Sequence, residues 1–440
     1  MMKHPFLLTM PSYGGSLAAA RCLGRKGVDV TVACSEFLAA ARWSRHATRI
    51  VHCPPVEDTK EFLSWLLAFG EREPKHVLCA SSDDIAYLIA ANAAELGRLF
   101  FLYQPPVENF VRVLDKKRLH EACDLLGLDT VPTWYPIDEA HLRRIVSDLP
   151  CPVIIKARTQ VLRTRQTKGT VIDRQADILA AYRSFDAESG YLPGGEPHFG
   201  KITKPMIQRF FPKGAGSVWS VTGFIDRSGT RFAARAARKV FQRTHPVGLG
   251  LCFEAAPLEA SLIDASVRLC REVGYFGVFE IEFLREDGRN MVIDFNPRFY
   301  GQMGFEDARG LPLAFLAWLG AVGDEAGLHA SLDEAAWCVD EGAAVFTHRF
   351  VFQLLLLAQS LGGSISAEER ARWKQWLSEH RNRMVDASAD ANDPWPAVAH
   401  AASELVNGFR SIRRVFRKHP RVQADSKPVA SPPLVCGSTT

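Results

Sequence analysis

Between residues 278 and 296 apolar and polar side chains alternate twice, in two stretches joined by Asp287-Gly288. In the first, Phe279, Ile281 and Phe283 alternate with Glu280 and Glu282; in the second, Met291, Ile293 and Phe295 alternate with Asp294 and Asn296. A period of two is the pattern of a half-buried strand, and Asp-Gly tolerates the positive φ of a tight hairpin. Centring the turn on Gly288 keeps both apolar sets on one face, because a slip of one residue would flip a whole strand. It sets Glu282 opposite Asp294 and Glu280 opposite Asn296. Opposed carboxylates repel, so a hairpin shaped only for stability would avoid this arrangement. A solvated acidic face is the plain reading. A divalent cation resolves the conflict in another way. Carboxylate and amide oxygens without thiolate or imidazole suit a hard metal, and Mg²⁺ commonly sits on one or two carboxylates plus substrate phosphates. Arg298 follows two residues beyond Asn296, on the same face if the strand continues.

The same reading applied from the N-terminus predicts a buried strand over 5–10, a turn Pro11-Ser12-Tyr13-Gly14-Gly15-Ser16, a helix over 17–26 and a strand over 28–34. Strand, Gly/Ser turn and helix open a doubly wound α/β unit, with the turn at the carboxyl end of the sheet where such folds bind ligands. The GxGxxG fingerprint is absent, which weighs against a dinucleotide oxidoreductase. Further strands are expected at 50–53 and 77–80, with a helix over 59–69 between them. Ser81-Ser82-Asp83-Asp84 then opens another helix. Capping accounts for these polar residues, Asp84 in particular. Asp83 and the cluster Arg42-Trp43-Ser44-Arg45 have a second reading, as the border of a substrate cleft.

Asp115-Lys116-Lys117 opens an amphipathic helix ending near Gly127, with Asp115 placed as an N-cap. A strand over 151–158 carries Lys156 at its exit. The following loop, 160–170, holds Arg163, Arg165 and Lys168 and no acid, so its charges repel until an anion arrives. A strand follows at 206–211. A hairpin over 218–225 and 231–240, turning at 226–229, delivers Arg238, Lys239 and Arg243, followed by a Gly-flanked loop to Gly250. A helix over 262–273 leads into the first hairpin described. Beyond Leu311 the pattern is helical, and 340–404 reads as mainly helix, broken at Asp393-Pro394-Trp395-Pro396. A basic last helix contains Arg410, Arg413, Arg414, Arg417, Lys418 and Arg421, without the aromatic interleaving of a nucleic-acid module. Residues 424–440 are Pro/Ser-rich, the composition of a disordered tail.

At 440 residues the chain is too long for one core. Its 47% apolar and 23% charged content is that of a globular protein. A net charge of +4 is too small to argue for nucleic acid. Ten cysteines without a CxxC or metal spacing read as buried thiols of a reducing cytosol. The first residues lack the long apolar segment of a signal peptide, and no aliphatic run is long enough to span a bilayer.

The run Ile293-Asp294-Phe295-Asn296-Pro297-Arg298-Phe299-Tyr300-Gly301, preceded by Glu282 on the partner strand, resembles the metal-binding signature of the ATP-grasp superfamily, with Asp294 where many members carry Glu. Asp115-Lys116 and Lys156 resemble the superfamily's phosphate lysines, and the carboxylate–amine ligase branch is the part it is most similar to. The resemblance implies an α/β fold: a doubly wound N-terminal domain (1–114), an ATP-grasp α+β core (115–325), and a helical C-terminal extension (326–423) before the tail (424–440). It implies Glu282, Asp294 and Asn296 as metal ligands. It places Lys116, Lys156 and Lys168 on nucleotide phosphates, Gln208 at the adenine hinge with the backbone of Arg209 and Phe211, Lys239 on the γ-phosphate, and Arg298 on the transferring group. ATP and Mg²⁺, or the similar hard cation Mn²⁺, are the implied cofactors. A small carboxylate and an amine are the implied substrates, joined through an acyl phosphate by a cytoplasmic ligase, with no membrane or nucleic-acid partner and with a homo-oligomer left open. The rival is an ATP-binding regulatory protein of the same fold without turnover. It draws on the glycine-poor 160–170 loop and on the lack of an acidic ribose partner in 213–220.

Overall fold

In the computed structural model the described residues are 4–418, without 165–168, 189, 201–203, 213–216, 244–247, 249, 338, 340 and 362–364. Arg165, Lys168, most of the Gly-flanked loop before Gly250, the basic side chains from Arg410 onward and the tail 424–440 lie outside them.

Five short apolar strands form the first sheet: β1 (Phe6–Leu8), β2 (Val30–Ala33), β3 (Ala47–Val51), β4 (His76–Leu78) and β5 (Phe100–Phe101). They are parallel, in the order β3-β2-β1-β4-β5. β1, β2 and β4 are buried along their whole length, which is why they read as continuous apolar runs rather than alternations. The order of strands reverses beside β1, so the crevice between the ends of β1 and β4 is the topological switch point where open α/β sheets take ligands. Thr9 Oγ1, just past β1, and Ser81 Oγ, three residues past β4, lie 2.9 Å apart across it.

Here that crevice holds part of the chain itself. The amide of Phe299 donates to Ala80 O at 3.0 Å. A Cβ on Gly15 would stand 2.5 Å from Tyr300 O, and one on Gly14 2.9 Å from Gly301 O. The Gly-Gly pair is therefore required by the close approach of 300–301. The helix after β1 accordingly starts at the glycines and runs Gly14–Arg25.

The core contains two further sheets. β6 (Thr133–Trp134), β7 (Val153–Lys156), β8 (Thr170–Ile172) and β9 (Met206–Arg209) form an antiparallel sheet in the order β6-β9-β7-β8. β10 (Val218–Ile225), β11 (Phe232–Gln242), β12 (Gly250–Ala256), β13 (Gly277–Glu286), β14 (Arg289–Asn296), β15 (Val345–Thr347) and β16 (Met384–Asp386) form the largest, in the order β14-β13-β10-β11-β12-β15-β16. The segment after 326 is mainly helical, with helices Arg349–Leu361, Ala367–Glu379 and Trp395–Lys418. It also adds β15 and β16 to this sheet, β15 antiparallel to β12 and β16 parallel to β15.

The β13–β14 hairpin has the expected pairing at its far end, with Glu282 opposite Asp294 and Glu280 opposite Asn296, reached by an unexpected route. Asp287 and Gly288 have φ of 50° and 74°, a two-residue turn that pairs Glu286 with Arg289. This turn alone would put Glu282 opposite Ile293. A β-bulge beside Glu282 and Phe283 absorbs the odd residue. Its consequence is a changed apolar set: Val292 and Phe295 enter the main core, while Met291 and Ile293 pack with Leu284 on the other side.

Asp393 is 2% exposed and accepts from Arg21 Nε at 2.9 Å, Ser44 Oγ at 2.7 Å and the Arg45 amide at 2.8 Å. Ser44 and Arg45 of the 42–45 cluster thus fasten the C-terminal region, while Arg42 and Trp43 pack against Phe37. Among the described residues no helix is long and apolar enough to cross a membrane.

Candidate active site

Directly opposed residues of antiparallel strands share a face. Glu280, Glu282, Asp294 and Asn296 therefore share one face with Ser220 and Thr222 of β10 and Lys239 of β11. Each acid there has its own partner. Glu282 accepts from Lys239 Nζ, whose side chain is 8% exposed. Burial alone would depress that ammonium, but Glu282 and Glu280 outweigh it and hold its pKa above the ordinary lysine value. Asp294 Oδ1 accepts from Lys116 Nζ at 2.5 Å.

Glu280 is 4% exposed and takes three donors: Ser220 Oγ at 2.5 Å, Asn296 Nδ2 at 2.9 Å and Gln302 Nε2. Burial and the neighbouring Glu282 charge push its carboxyl up to about 7. Sequence reasoning placed Glu280 opposite Asn296 but gave it no role, and missed Ser220 and Gln302 altogether. The pairing of β10 with β13 was the missing information, since parity along β10 then aims Ser220 at the same face.

The helix Lys116–Leu126 begins where expected. Asp115 caps it, accepting from the Lys117 amide at 3.0 Å, and also takes Arg158 Nη2 at 2.5 Å. The Lys116 amide donates to Arg158 O at 2.9 Å, which docks the helix start against the exit of β7 and its terminal Lys156. His120, one turn along, senses both lysines. Burial first, then the positive charges of Lys156 and Lys116, hold its imidazole down to about 4, so it adds no charge at neutral pH. Gln208 is buried and donates to Thr133 Oγ1 at 2.8 Å, while the Arg209 guanidinium lies 4.8 Å over the Phe211 ring and its amide donates to Pro132 O at 2.9 Å.

Arg298 is spread over three acceptors. Nε donates to Asp83 Oδ1 at 2.6 Å, Nη2 to Asn296 Oδ1 at 2.9 Å, and Nη1 to Phe299 O at 3.0 Å. Burial opposes its charge, yet the Asp83 carboxylate more than compensates and raises its pKa. The helix Asp83–Ala91 is capped by Ser82, which accepts from the Ile85 amide at 3.2 Å. Asp84 instead accepts from the Leu162 amide at 2.6 Å, at the start of the 160–170 loop, which corrects its reading as a cap.

Two carboxylates and an amide, with lysines arriving from β11 and from the helix after Asp115, form an oxygen donor set ringed by cations. Among the described residues no three His, Cys, Asp or Glu side chains form a ready-made cage. This fits Mg²⁺, which completes its shell with water and substrate phosphates, better than a metal held wholly by protein. The lysines suit the phosphates themselves, as point charges on flexible stems.

The α/β N-terminal domain, the small antiparallel sheet and the larger sheet carrying this face together make up a fold that the chain shares with solved carboxylases, ligases and synthetases. Among solved structures the chain is similar to biotin carboxylase from Campylobacter jejuni, crystallised as a β,γ-ATP complex, with a TM-score of 0.57 and 17% identity over 72% of this chain and 70% of that one. It is similar to L-amino acid ligase from Bacillus licheniformis, with a TM-score of 0.53 and 14% identity over 73% and 75%. It is likewise similar to N5-carboxyaminoimidazole ribonucleotide synthetase from Thermus thermophilus, with a TM-score of 0.52 and 15% identity over 72% and 78%. No protein-family model matches the sequence, and no curated protein is detectably similar to it in sequence.

Proposed function

We propose that the protein is an ATP- and Mg²⁺-dependent ligase that joins a small carboxylate, such as an amino acid, to an amine through an acyl phosphate. The observation that carries this reading is the shared face of Glu282, Asp294, Asn296 and Lys239 next to Arg298, within a fold whose solved representatives include an L-amino acid ligase. Glu282, Asp294 and Asn296 would hold Mg²⁺, which supplies a Lewis acid that neutralises phosphate charge. Lys116, Lys156 and Lys168 bind the triphosphate, and Gln208, Arg209 and Phe211 form the wall nearest the adenine. The substrate carboxylate attacks the γ-phosphorus, the bond to the bridging oxygen breaks, and ADP leaves. Lys239 and Arg298 steady the phosphoryl oxygens as charge moves across them. The amine then adds to the acyl carbon, and phosphate departs to leave the amide.

Hydroxylamine trapping tests this directly. Wild-type protein with Mg·ATP and a panel of carboxylates is expected to give a hydroxamate with at least one of them. Binding of Mg·ATP with no hydroxamate from any carboxylate would favour the regulatory protein instead.

The phosphate role of the loop has a separate check. Mg·ATP is expected to slow tryptic cleavage within 160–170 several-fold, because bound phosphate occupies its cations. Equal cleavage with and without nucleotide would count against it.

A further inference from the structure

The crevice at the switch point of the N-terminal sheet, where an open α/β domain takes its ligand, is filled by residues 298–301 of the core. Three independent features hold them there. Gly14 and Gly15 let the backbone of 300–301 approach to a distance no side chain would permit, Ala80 O receives the Phe299 amide, and Asp83 receives Arg298 Nε. Neither acid at the start of the helix Asp83–Ala91 is occupied in capping, since Ser82 does that. The same helix also fastens to two later segments of the chain: Asp84 takes the Leu162 amide, and Tyr87 Oη donates to Gly194 O at 2.8 Å.

We propose that the N-terminal domain serves this site as a clamp, and that Asp83 is its positioning residue, fixing the plane of Arg298 and through it the amide of Asn296. This rests on the reading of Arg298 given above. The chain of bonds is continuous. Asp83 takes Nε and so sets the guanidinium plane. Nη2 of that plane meets Asn296 Oδ1, which commits Asn296 Nδ2 to Glu280. Asp83 and Arg298 are only 20% and 16% exposed, so water competes poorly for either end. Without Asp83 the guanidinium keeps its charge and loses one of the three bonds that fix its plane, a loss that falls on the transfer step, where alignment matters, more than on ATP binding.

The test is a double-mutant cycle with a spectroscopic check. Asp83→Asn is expected to lower the kcat of hydroxamate formation about tenfold while the Mg·ATP Kd moves less than about threefold. Asp83→Glu, which keeps the charge, should recover part of the rate. The double variant Asp83→Asn/Arg298→Lys should be no slower than Arg298→Lys alone. Additive losses, or an unchanged rate in Asp83→Asn, overturn the proposal. In ¹⁵N-arginine-labelled protein, a slowly exchanging Nε–H signal that disappears in Arg298→Lys should also shift or broaden in Asp83→Asn. Wild-type protein that makes no hydroxamate sinks the proposed function but not the clamp, which this signal then judges alone. No protected Arg298 signal in the wild type rejects it.

Discussion

Asp294→Ala is expected to abolish Mg²⁺-dependent turnover and to lower stability by about 1–3 kcal/mol, the cost of a largely buried charge that loses its partner. The first half follows from the donor set: Asp294 is one of the two carboxylates proposed for the metal, and without it Asn296 and Glu282 offer a hard cation a single negative charge, since Glu280 on the same face is taken up by Ser220, Asn296 and Gln302. The second half reverses what opposed acids on a hairpin suggest. Glu282 and Asp294 face one another, yet each is neutralised by its own lysine, Lys239 from β11 and Lys116 from the helix after Asp115. Removing Asp294 therefore relieves no repulsion. It strands the Lys116 ammonium, whose side chain is 10% exposed. Turnover against Mg²⁺ concentration and a urea midpoint measure the two halves. Near-wild-type activity at saturating Mg²⁺ would reject the metal assignment, and a raised midpoint would reject the lysine pairing as a source of stability.

Arg298→Lys is expected to lower kcat about a hundredfold, or about 3 kcal/mol, the scale of losing one preorganised donor to a transition state. The Mg·ATP Kd should change far less. The geometry explains why a lysine cannot substitute. The guanidinium is planar and held at Nε, Nη1 and Nη2 by three acceptors in fixed directions, whereas an ammonium is a point charge on a mobile stem. Kinetics across the carboxylate panel, with nucleotide titration, separate the two effects. A Kd that weakens in step with the rate would make Arg298 a nucleotide-binding residue with no special part in transfer.

Much of this site was legible because it lies on strands that announce themselves by alternation. The pairing of Glu282 with Asp294 followed from one hairpin and its two apolar sets. The bulge did not: a two-residue Asp287-Gly288 turn and the expected Glu282–Asp294 pairing differ in register by one residue, but nothing in the alternation of Met291, Ile293 and Phe295 marks where the odd residue is extruded. Lys116 and Lys156 were named through resemblance, but the approach of the helix after Asp115 to the exit of β7 depends on the Lys116 amide docking on Arg158 O, a contact that no local pattern encodes. Asp83 with Arg298, and Asp393 with Ser44, join residues 215 and 349 positions apart in the chain. Pairings that remote depend on how the domains pack, so the acids could be noticed and their partners could not. The Gly14-Gly15 turn was read as an opening for a ligand, when the same lack of side chains serves an equally close approach by the chain's own backbone.

The addition of β15 and β16 to the large sheet bears on how this chain can be divided. A polypeptide ending at residue 325 would keep every side chain of the shared acidic face, yet it would leave β12 as an unpaired margin, with Leu251, Cys252 and Phe253 buried in the intact protein and bared in the fragment. Such a margin offers its free amides and carbonyls to any neighbouring molecule with a strand to match. The region that carries no proposed catalytic group is in this respect what keeps the catalytic sheet to itself.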